Sequence, residues 1–342
     1  MVKPTVISTF AGCGGSSLGY QQAGYRELLA VEWDDNAVET FKANFPGIPV
    51  YHGDISKLDL EECLELSGVK PGELDVLDGS PPCQGFSIAG KRKWSDPRNS
   101  LFKEFARLLK GLQPKAFVVE NVPGMIKGYM KQAYLLILKE LRACGYNVKG
   151  QVMNAMWYGV PQFRERIILI GLRNDLKMIP DHPKPKEKPI TVREALQGVK
   201  GSLPPPLSPF LKNIVPKMRQ GQSADDVSGR GGYQTIRVYP ERPCPTITQI
   251  IGGIGFGMLI HPTEDRVFSI AELKRIQSFP DEFSFAEPVS SHKKLPSAST
   301  EVTRYVHAKA GIGNSVPPKL MEAVAIHIRD NFLNGANDKR NH

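Results

Sequence analysis

The first 172 residues alternate short apolar runs with stretches of helical spacing, and this alternation constrains the fold more than any other feature. Candidate strands cover residues 5–10, 28–32, 75–78, 116–120 and 166–171. Between them, residues 17–23, 37–44, 101–112 and 133–143 carry helical patterns. In the last of these, Leu135, Leu136, Leu138 and Leu141 fall at helical spacing. Such alternation implies an α/β fold built on a doubly wound, mostly parallel sheet. Ligands of these sheets bind at the carboxyl ends of the strands, so the residues following each strand are where chemistry is expected.

One such place stands out. Asp75-Val-Leu-Asp-Gly-Ser-Pro-Pro-Cys83-Gln-Gly-Phe86-Ser87 sets a cysteine behind two prolines, in a glycine-bearing loop at the end of an apolar run. A buried structural cysteine needs no such frame. A nucleophile does, because the prolines fix the backbone while the loop leaves the sulfur reachable.

The first strand runs into Phe10-Ala-Gly12-Cys-Gly14-Gly15-Ser-Ser-Leu18-Gly19. Glycines let backbone approach a ligand closely, and a helix N-terminus receives a negative group. Ser17 occupies the last glycine position of the dinucleotide fingerprint, which counts against a pyrophosphate-bearing cofactor. Glu32 ends the second strand, where a carboxylate can hold ribose hydroxyls, and Trp33 follows it, placed to stack on adenine. Gly53-Asp54-Ile55 follows the third strand, with Asp54 able to accept from an adenine amino group. Each feature alone is commonly structural. Their succession after consecutive strands points to a nucleoside cofactor without pyrophosphate, and S-adenosylmethionine fits best.

Composition sets the boundaries. The 342 residues are 41% apolar, and no apolar run nears the roughly 20 residues that span a bilayer. The N-terminus lacks a signal-peptide layout, so no membrane partner is expected. Five cysteines (Cys13, Cys63, Cys83, Cys144, Cys244) form no Cys-x-x-Cys pair, which argues for free thiols in a reducing compartment and against zinc. The seven histidines show no ligand spacing, and no metal is assigned. A formal charge of +9 favours a polyanionic partner. Lys91, Arg92 and Lys93 follow the Cys83 loop, and Arg164 and Arg166 flank Glu165, so the substrate itself is expected to be anionic.

After about residue 174 the character changes. Residues 180–189 read as a proline- and lysine-rich linker, and residues 229–257 are glycine-rich with β-like pieces near 233–239. A second, smaller and irregular domain is expected from 186 to 268, then a hinge and insertion over 269–312. Within that span a helix is expected over 270–276 and a serine- and lysine-rich insertion over 288–303. An amphipathic helix over 319–332 and a disordered polar tail follow.

The motifs in order resemble the cytosine-C5 DNA methyltransferases, of the compact restriction-modification type. The Cys83 run matches that signature from Asp75 through Ser80, Pro82, Cys83 and Phe86 to Ser87. Around it stand the Phe10 turn, Glu32-Trp33-Asp34, Gly53-Asp54-Ile55, the Asp96 to Phe102 run, Glu120-Asn-Val-Pro-Gly-Met125 and Gln162-Phe-Arg164-Glu-Arg166. Arg242-Pro-Cys-Pro-Thr246-Ile-Thr248, Gln277-Ser-Phe-Pro-Asp-Glu-Phe283 and Gly313-Asn314-Ser315-Val-Pro complete the order. One position departs, since Ala310 stands where a polar or basic residue is expected and Lys309 is one place early.

The resemblance implies a site-specific DNA (cytosine-5)-methyltransferase on a Rossmann-like methyltransferase fold, with a smaller target-recognition domain. It implies that residues 313–342 return to join 1–185 in a discontinuous catalytic domain. Cys83 would add to carbon 6 of a flipped-out cytosine, Glu120 would bond N3 and the exocyclic amine, and Arg166 would hold the carbonyl oxygen. Arg164 is counted with these catalytic residues, with support of the loop or a phosphate as its more plausible part. Phe10, Gly12, Gly14, Leu18, Glu32, Trp33, Asp54, Ile55, Pro82, Leu101, Asn314 and Ser315 would form the S-adenosylmethionine site. Ser87, Lys91, Arg92, Lys93, Thr246 and Thr248 would contact double-stranded DNA. A monomer is expected, cytoplasmic and nucleoid-associated, without an N-terminal regulatory domain and with a companion restriction endonuclease acting on the same site. Alternatives are a tRNA cytosine-5 methyltransferase on the same scaffold and a non-catalytic DNA-binding relative. A nicotinamide dehydrogenase is disfavoured by the missing glycine and by a Pro-Pro-Cys it would not need.

Overall fold

The computed structural model describes residues 2–82, 100–128, 130–185, 188–201, 203–229, 235–249, 257–289 and 299–334. The chain divides into two compact units. One comprises Met1–Asn154, Glu165–Pro185 and Leu320–His342, the other Ala155–Arg164 and Lys186–Lys319.

The first unit holds a seven-stranded sheet: β1 (Thr5–Thr9), β2 (Arg26–Glu32), β3 (Val50–His52), β4 (Val76–Gly79), β5 (Ala116–Asn121), β6 (Tyr146–Asn154) and β7 (Glu165–Arg173). Its order is β3-β2-β1-β4-β5-β7-β6. The five strands from β3 to β5 pair in parallel, while β7 runs antiparallel between β5 and β6. The mostly parallel α/β fold read from the sequence is the one observed. The strand order reverses between β1 and β4, the crevice where sheets of this kind bind ligands. The glycine turn follows β1, and Cys83 comes four residues after the end of its neighbour β4 in the sequence.

Helices α1 (Gly15–Gln22), α2 (Asp35–Asn44), α3 (Leu60–Ser67), α4 (Ser100–Leu112) and α5 (Met130–Ala143) link these strands. Local chemistry sets their ends. Asp34 accepts from the Ala37 N–H at 2.9 Å and Asp59 from the Glu62 N–H at 2.7 Å, capping α2 and α3. Gly14 caps α1 at φ 89°, and a Cβ there would lie 2.3 Å from the Phe45 ring. Only glycine meets both demands. Leu138 and Leu141 of α5 are buried, whereas Leu135 and Leu136 stay exposed. Ile7, Leu29, Leu77, Phe105, Phe117 and Leu169 centre the core.

Three features differ from expectation. Phe10 leaves the strand with φ 55° rather than ending it. Helix α3 and strand β6 went unread: α3 buries only Cys63, and β6 alternates every second residue, as an edge strand does. The third lies in the second unit, where residues 300–303 form the first turn of a helix capped by Ser299 instead of extending an irregular insertion.

The second unit carries α6 (Val192–Ala195), α7 (Pro209–Ile214), α8 (Ala224–Ser228), α9 (Ile270–Ile276) and α10 (Thr300–Asn314), with a two-stranded parallel sheet of β8 (Ile236–Arg237) and β9 (Leu259–Ile260). Its own core gathers Leu211, Val238, Ile260, Phe268 and Ile312. Helix α11 (Pro318–Ile328) lies in the first unit from Leu320 onward, where Ala325 O accepts from the Tyr25 hydroxyl at 2.9 Å.

Candidate active site

At the carboxyl end of β2, Glu32 organises the turn that follows β1. Its Oε2 accepts from Gly12 N at 2.7 Å, and its Oε1 from Trp33 N at 2.8 Å and Asp34 N at 2.9 Å. Three of about four acceptor positions are thereby filled, and one remains for a hydroxyl. Burial raises the Glu32 carboxyl, against the pull of these N–H donors. Trp33 is 75% exposed, a large aromatic face left bare beside that carboxylate. Gly12, at φ 55°, has nothing within 4 Å of where a Cβ would stand. Asp54 is exposed, with one oxygen accepting from Ser56 N at 2.9 Å. Ile55 and Leu18 are buried, Phe10 and Leu101 pack half-buried on the core, and Pro82 is exposed.

The first turn of α1 has no side-chain cap, so its N–H groups are available to a carboxylate. A bare tryptophan, a hydroxyl-accepting carboxylate, an uncapped helix end and an open glycine suit a nucleoside bearing an amino-acid tail. The residues present fit S-adenosylmethionine.

Two of the residues expected to act on the substrate meet on the same sheet. Glu120 lies near the end of β5 and Arg166 near the start of β7, and antiparallel pairing brings both to the same end of these adjacent strands. Arg166 Nε lies 2.8 Å from Glu120 Oε1, with both side chains largely buried. The arginine also donates to Glu165 O at 2.7 Å. Asn121 ties the end of β5 to the segment that follows β4: its Nδ2 donates to Pro81 O at 2.9 Å, two residues before Cys83 in sequence. Its own Oδ1 accepts from Val122 N at 2.8 Å. Sequence reasoning passed over Asn121, although its place inside Glu-Asn-Val was the signal. Cys83, Ser87, Lys91, Arg92 and Lys93 lie outside the described residues.

Asp78 was missed as well. It is 2% exposed on β4, where it accepts from the Tyr20 hydroxyl at 3.3 Å, joining β4 to α1. Burial pushes its carboxyl up to about 8. The backbone beside it is equally confined, since a Cβ on Gly79 would meet Thr9 Oγ1 at 2.5 Å and the Phe105 ring at 2.8 Å.

Arg164, expected among the catalytic residues, sits in the second unit with 1% of its surface exposed. Its guanidinium donates to Ile247 O at 3.1 Å, Gly313 O at 2.9 Å and Ser315 O at 3.1 Å. A guanidinium engaged by three backbone carbonyls braces the segments that carry them. Gln162 and Gln277 extend the brace through their 2.6 Å bond, with Gln277 also donating to Ser315 O at 2.7 Å. Asn314 is exposed at the end of α10, and the Ser315 hydroxyl donates back to Gly311 O at 2.7 Å. Thr246 is half-buried and donates to Phe163 O at 2.7 Å, whereas Thr248 is turned inward with a buried hydroxyl. Among the described residues no group of histidine, cysteine and carboxylate side chains is placed to hold a metal.

The family model for C-5 cytosine-specific DNA methylases matches residues 4–330. The chain is 33% identical to the Type II methyltransferase M.DdeI of Desulfomicrobium norvegicum, covering 96% of this chain and 89% of that one. It is 32% identical to the Type II methyltransferase M1.HphI of Haemophilus parahaemolyticus, covering 94% and 85%. Among solved structures, a DNA modification methyltransferase encoded within an E. coli prophage superposes with a TM-score of 0.76 at 28% identity, covering 97% of this chain and all of that one. The Spodoptera frugiperda DNMT2 structure shares the fold, with a TM-score of 0.67 at 18% identity over 94% of this chain and 98% of that one.

Proposed function

The chain belongs to the C-5 cytosine-specific DNA methylases, and on that premise we propose that it methylates carbon 5 of cytosine within one short duplex sequence, using Cys83 as nucleophile. The observation that carries the reading is the Glu120–Arg166 pair, held at 2.8 Å and braced through Asn121 to the stem of the Cys83 loop.

Carbon 5 of cytosine is a weak nucleophile. A bond from the Cys83 sulfur to carbon 6 makes the ring enamine-like and concentrates electron density on carbon 5. Glu120 hydrogen-bonds N3 and the exocyclic amine and delivers a proton as negative charge builds. Arg166 holds the cytosine carbonyl oxygen, fixes the Glu120 carboxyl and offsets the developing charge. S-adenosylmethionine, when bound, supplies the methyl group that carbon 5 receives. Phe10, Gly12, Gly14, Leu18, Glu32, Trp33, Asp54, Ile55, Pro82 and Leu101 hold it, joined in this reading by Asn314 and Ser315. Loss of the carbon 5 proton to a base then breaks the carbon–sulfur bond and frees Cys83.

The target must leave the duplex to reach a recessed thiol. Ser87, Lys91, Arg92, Lys93 and Thr246 face the DNA in this reading; Thr248, whose hydroxyl is buried, takes part through the backbone of the 246–248 segment, which Arg164 positions from behind. The Type II names of the relatives support a companion endonuclease for the same site; a cytoplasmic monomer completes the reading. No helix among the described residues is long and apolar enough to cross a membrane.

The test is expression in a host lacking cytosine methylation, followed by bisulfite sequencing of genomic DNA and tRNA. Methylation of one short DNA motif is expected, and Cys83→Ala should abolish it while S-adenosylhomocysteine still binds. Methylation confined to tRNA would move the substrate to RNA. Activity surviving Cys83→Ala would remove the nucleophile.

A further inference from the structure

Lys309 of α10 is 2% exposed, and no carboxylate among the described residues pairs with it. Its Nζ reaches the Thr248 carbonyl at 3.3 Å. An ammonium has three donors, and buried lysines ordinarily meet an acid. The Thr248 hydroxyl beside it is buried and has no partner among the described residues. The contact between α10 and this segment is tight, because a Cβ on Gly313 would stand 2.6 Å from the Thr248 carbonyl.

No charged group of the surrounding elements acts on Lys309 among the described residues, and several are engaged elsewhere. On α9, Glu272 pairs with Arg266 at 2.7 Å and lies 3.7 Å from His261. Arg275 pairs with Asp281 at 2.5 Å, and Lys274 donates to the Asp281 and Phe283 carbonyls. On α10 itself Arg304 pairs with Glu287. Arg164 is engaged by carbonyls. Burial alone acts on the Lys309 ammonium, lowering it to about 8.

A fold that buries a positive charge without a counter-charge leaves room for a ligand to supply one. The segment touching this charge is 246–248, which our functional reading turns toward the DNA backbone. We propose that Lys309 is a positioning residue for substrate DNA: it holds a fixed positive charge behind residues 246–248, and a phosphate of the bound duplex supplies the missing negative charge across that segment. In the poorly screened interior the field of one ammonium extends past a single layer of backbone. The departure at Ala310 then has a structural reason: the basic residue stands one position earlier, which turns it inward onto Thr248.

A phosphate drawn toward Lys309 raises its proton affinity on binding. DNA affinity is therefore full at pH 7 and falls as pH rises through about 8. The test is fluorescence anisotropy of a labelled duplex bearing the methylated motif, titrated with the full-length protein and S-adenosylhomocysteine at several salt concentrations. For the wild type, the slope of log affinity against log salt should weaken by up to about 0.9 between pH 7 and pH 9. Lys309→Met should show the weak slope at both pH values, with KM for DNA raised about tenfold and kcat within about twofold. Lys309→Arg should keep the strong slope at both.

A methionine variant with the wild-type slope and KM would overturn the proposal. If that variant loses S-adenosylhomocysteine binding and so has not folded, the wild-type comparison decides alone, and a slope equal at pH 7 and pH 9 would overturn it. The inference rests on DNA being the substrate, yet the two fail separately. A protein that methylates no DNA removes the functional reading, whereas a pH-independent slope in a protein that methylates DNA removes only the role of Lys309.

Discussion

Replacing Asp78 with asparagine should make the protein more resistant to alkaline conditions, by an amount the structure lets us bound. The carboxyl is buried on β4, and the charged form is disfavoured chiefly by burial and further by the nearby Glu27 carboxylate. Its pKa rises from 3.8 to about 8. In the unfolded chain the proton leaves near 3.8, whereas in the native protein it stays until about 8. The stability it contributes is therefore full below 3.8 and is lost progressively as pH climbs to about 8. At about 1.4 kcal/mol per pH unit the loss between pH 5 and pH 8 is bounded near ~4 kcal/mol. Relaxation and water entry cut such figures, so at least ~2 kcal/mol is expected. Asparagine has nothing to titrate, and its Oδ1 can still accept from the Tyr20 hydroxyl that lies 3.3 Å from Asp78. Any fixed cost of burying the amide cancels when one variant is compared with itself across pH. Calorimetric melting of both proteins from pH 5 to pH 8.5 should show the variant gaining at least about 3 °C on the wild type over that range. Parallel curves, or a variant that falls further behind as pH rises, would mean that Asp78 is ionised in the fold and that the reasoning is wrong.

Two further substitutions separate the parts of the site. Asn121→Ala frees Pro81 O from its 2.9 Å bond and loosens the stem of the Cys83 loop; kcat should fall about 10- to 100-fold, with S-adenosylhomocysteine affinity by calorimetry unchanged. Trp33→Ala removes a ring that is 75% exposed and adds nothing to the core; the melting temperature should hold while S-adenosylhomocysteine binding weakens about 5- to 100-fold, and unchanged binding would take the adenine away from Trp33.

The part of this molecule that its sequence reveals is the part governed by short-range rules. Gly14 announces a turn because nothing else tolerates φ 89° with Phe45 so close. Strand–helix alternation carries the parallel sheet for the same local reason. What stayed hidden depends on partners distant in sequence. Asp78 reads as a polar residue ending an apolar run until the fold closes Tyr20 over it, 58 residues away. Arg164 and Arg166 are two residues apart in one motif and share a residue type, yet β7 begins at Glu165 and the boundary between the units falls there. Arg166 therefore meets Glu120, whereas Arg164 is surrounded by the carbonyls of residues 247, 313 and 315. Lys309 carries the same lesson further. Sequence places it one position from where a basic residue is expected, and only the packing of Gly313 against Thr248 shows that the charge at 309 lies in the interior. A motif thus specifies which residue types attend a reaction, while the division of labour among neighbouring charges is set by which element ends between them.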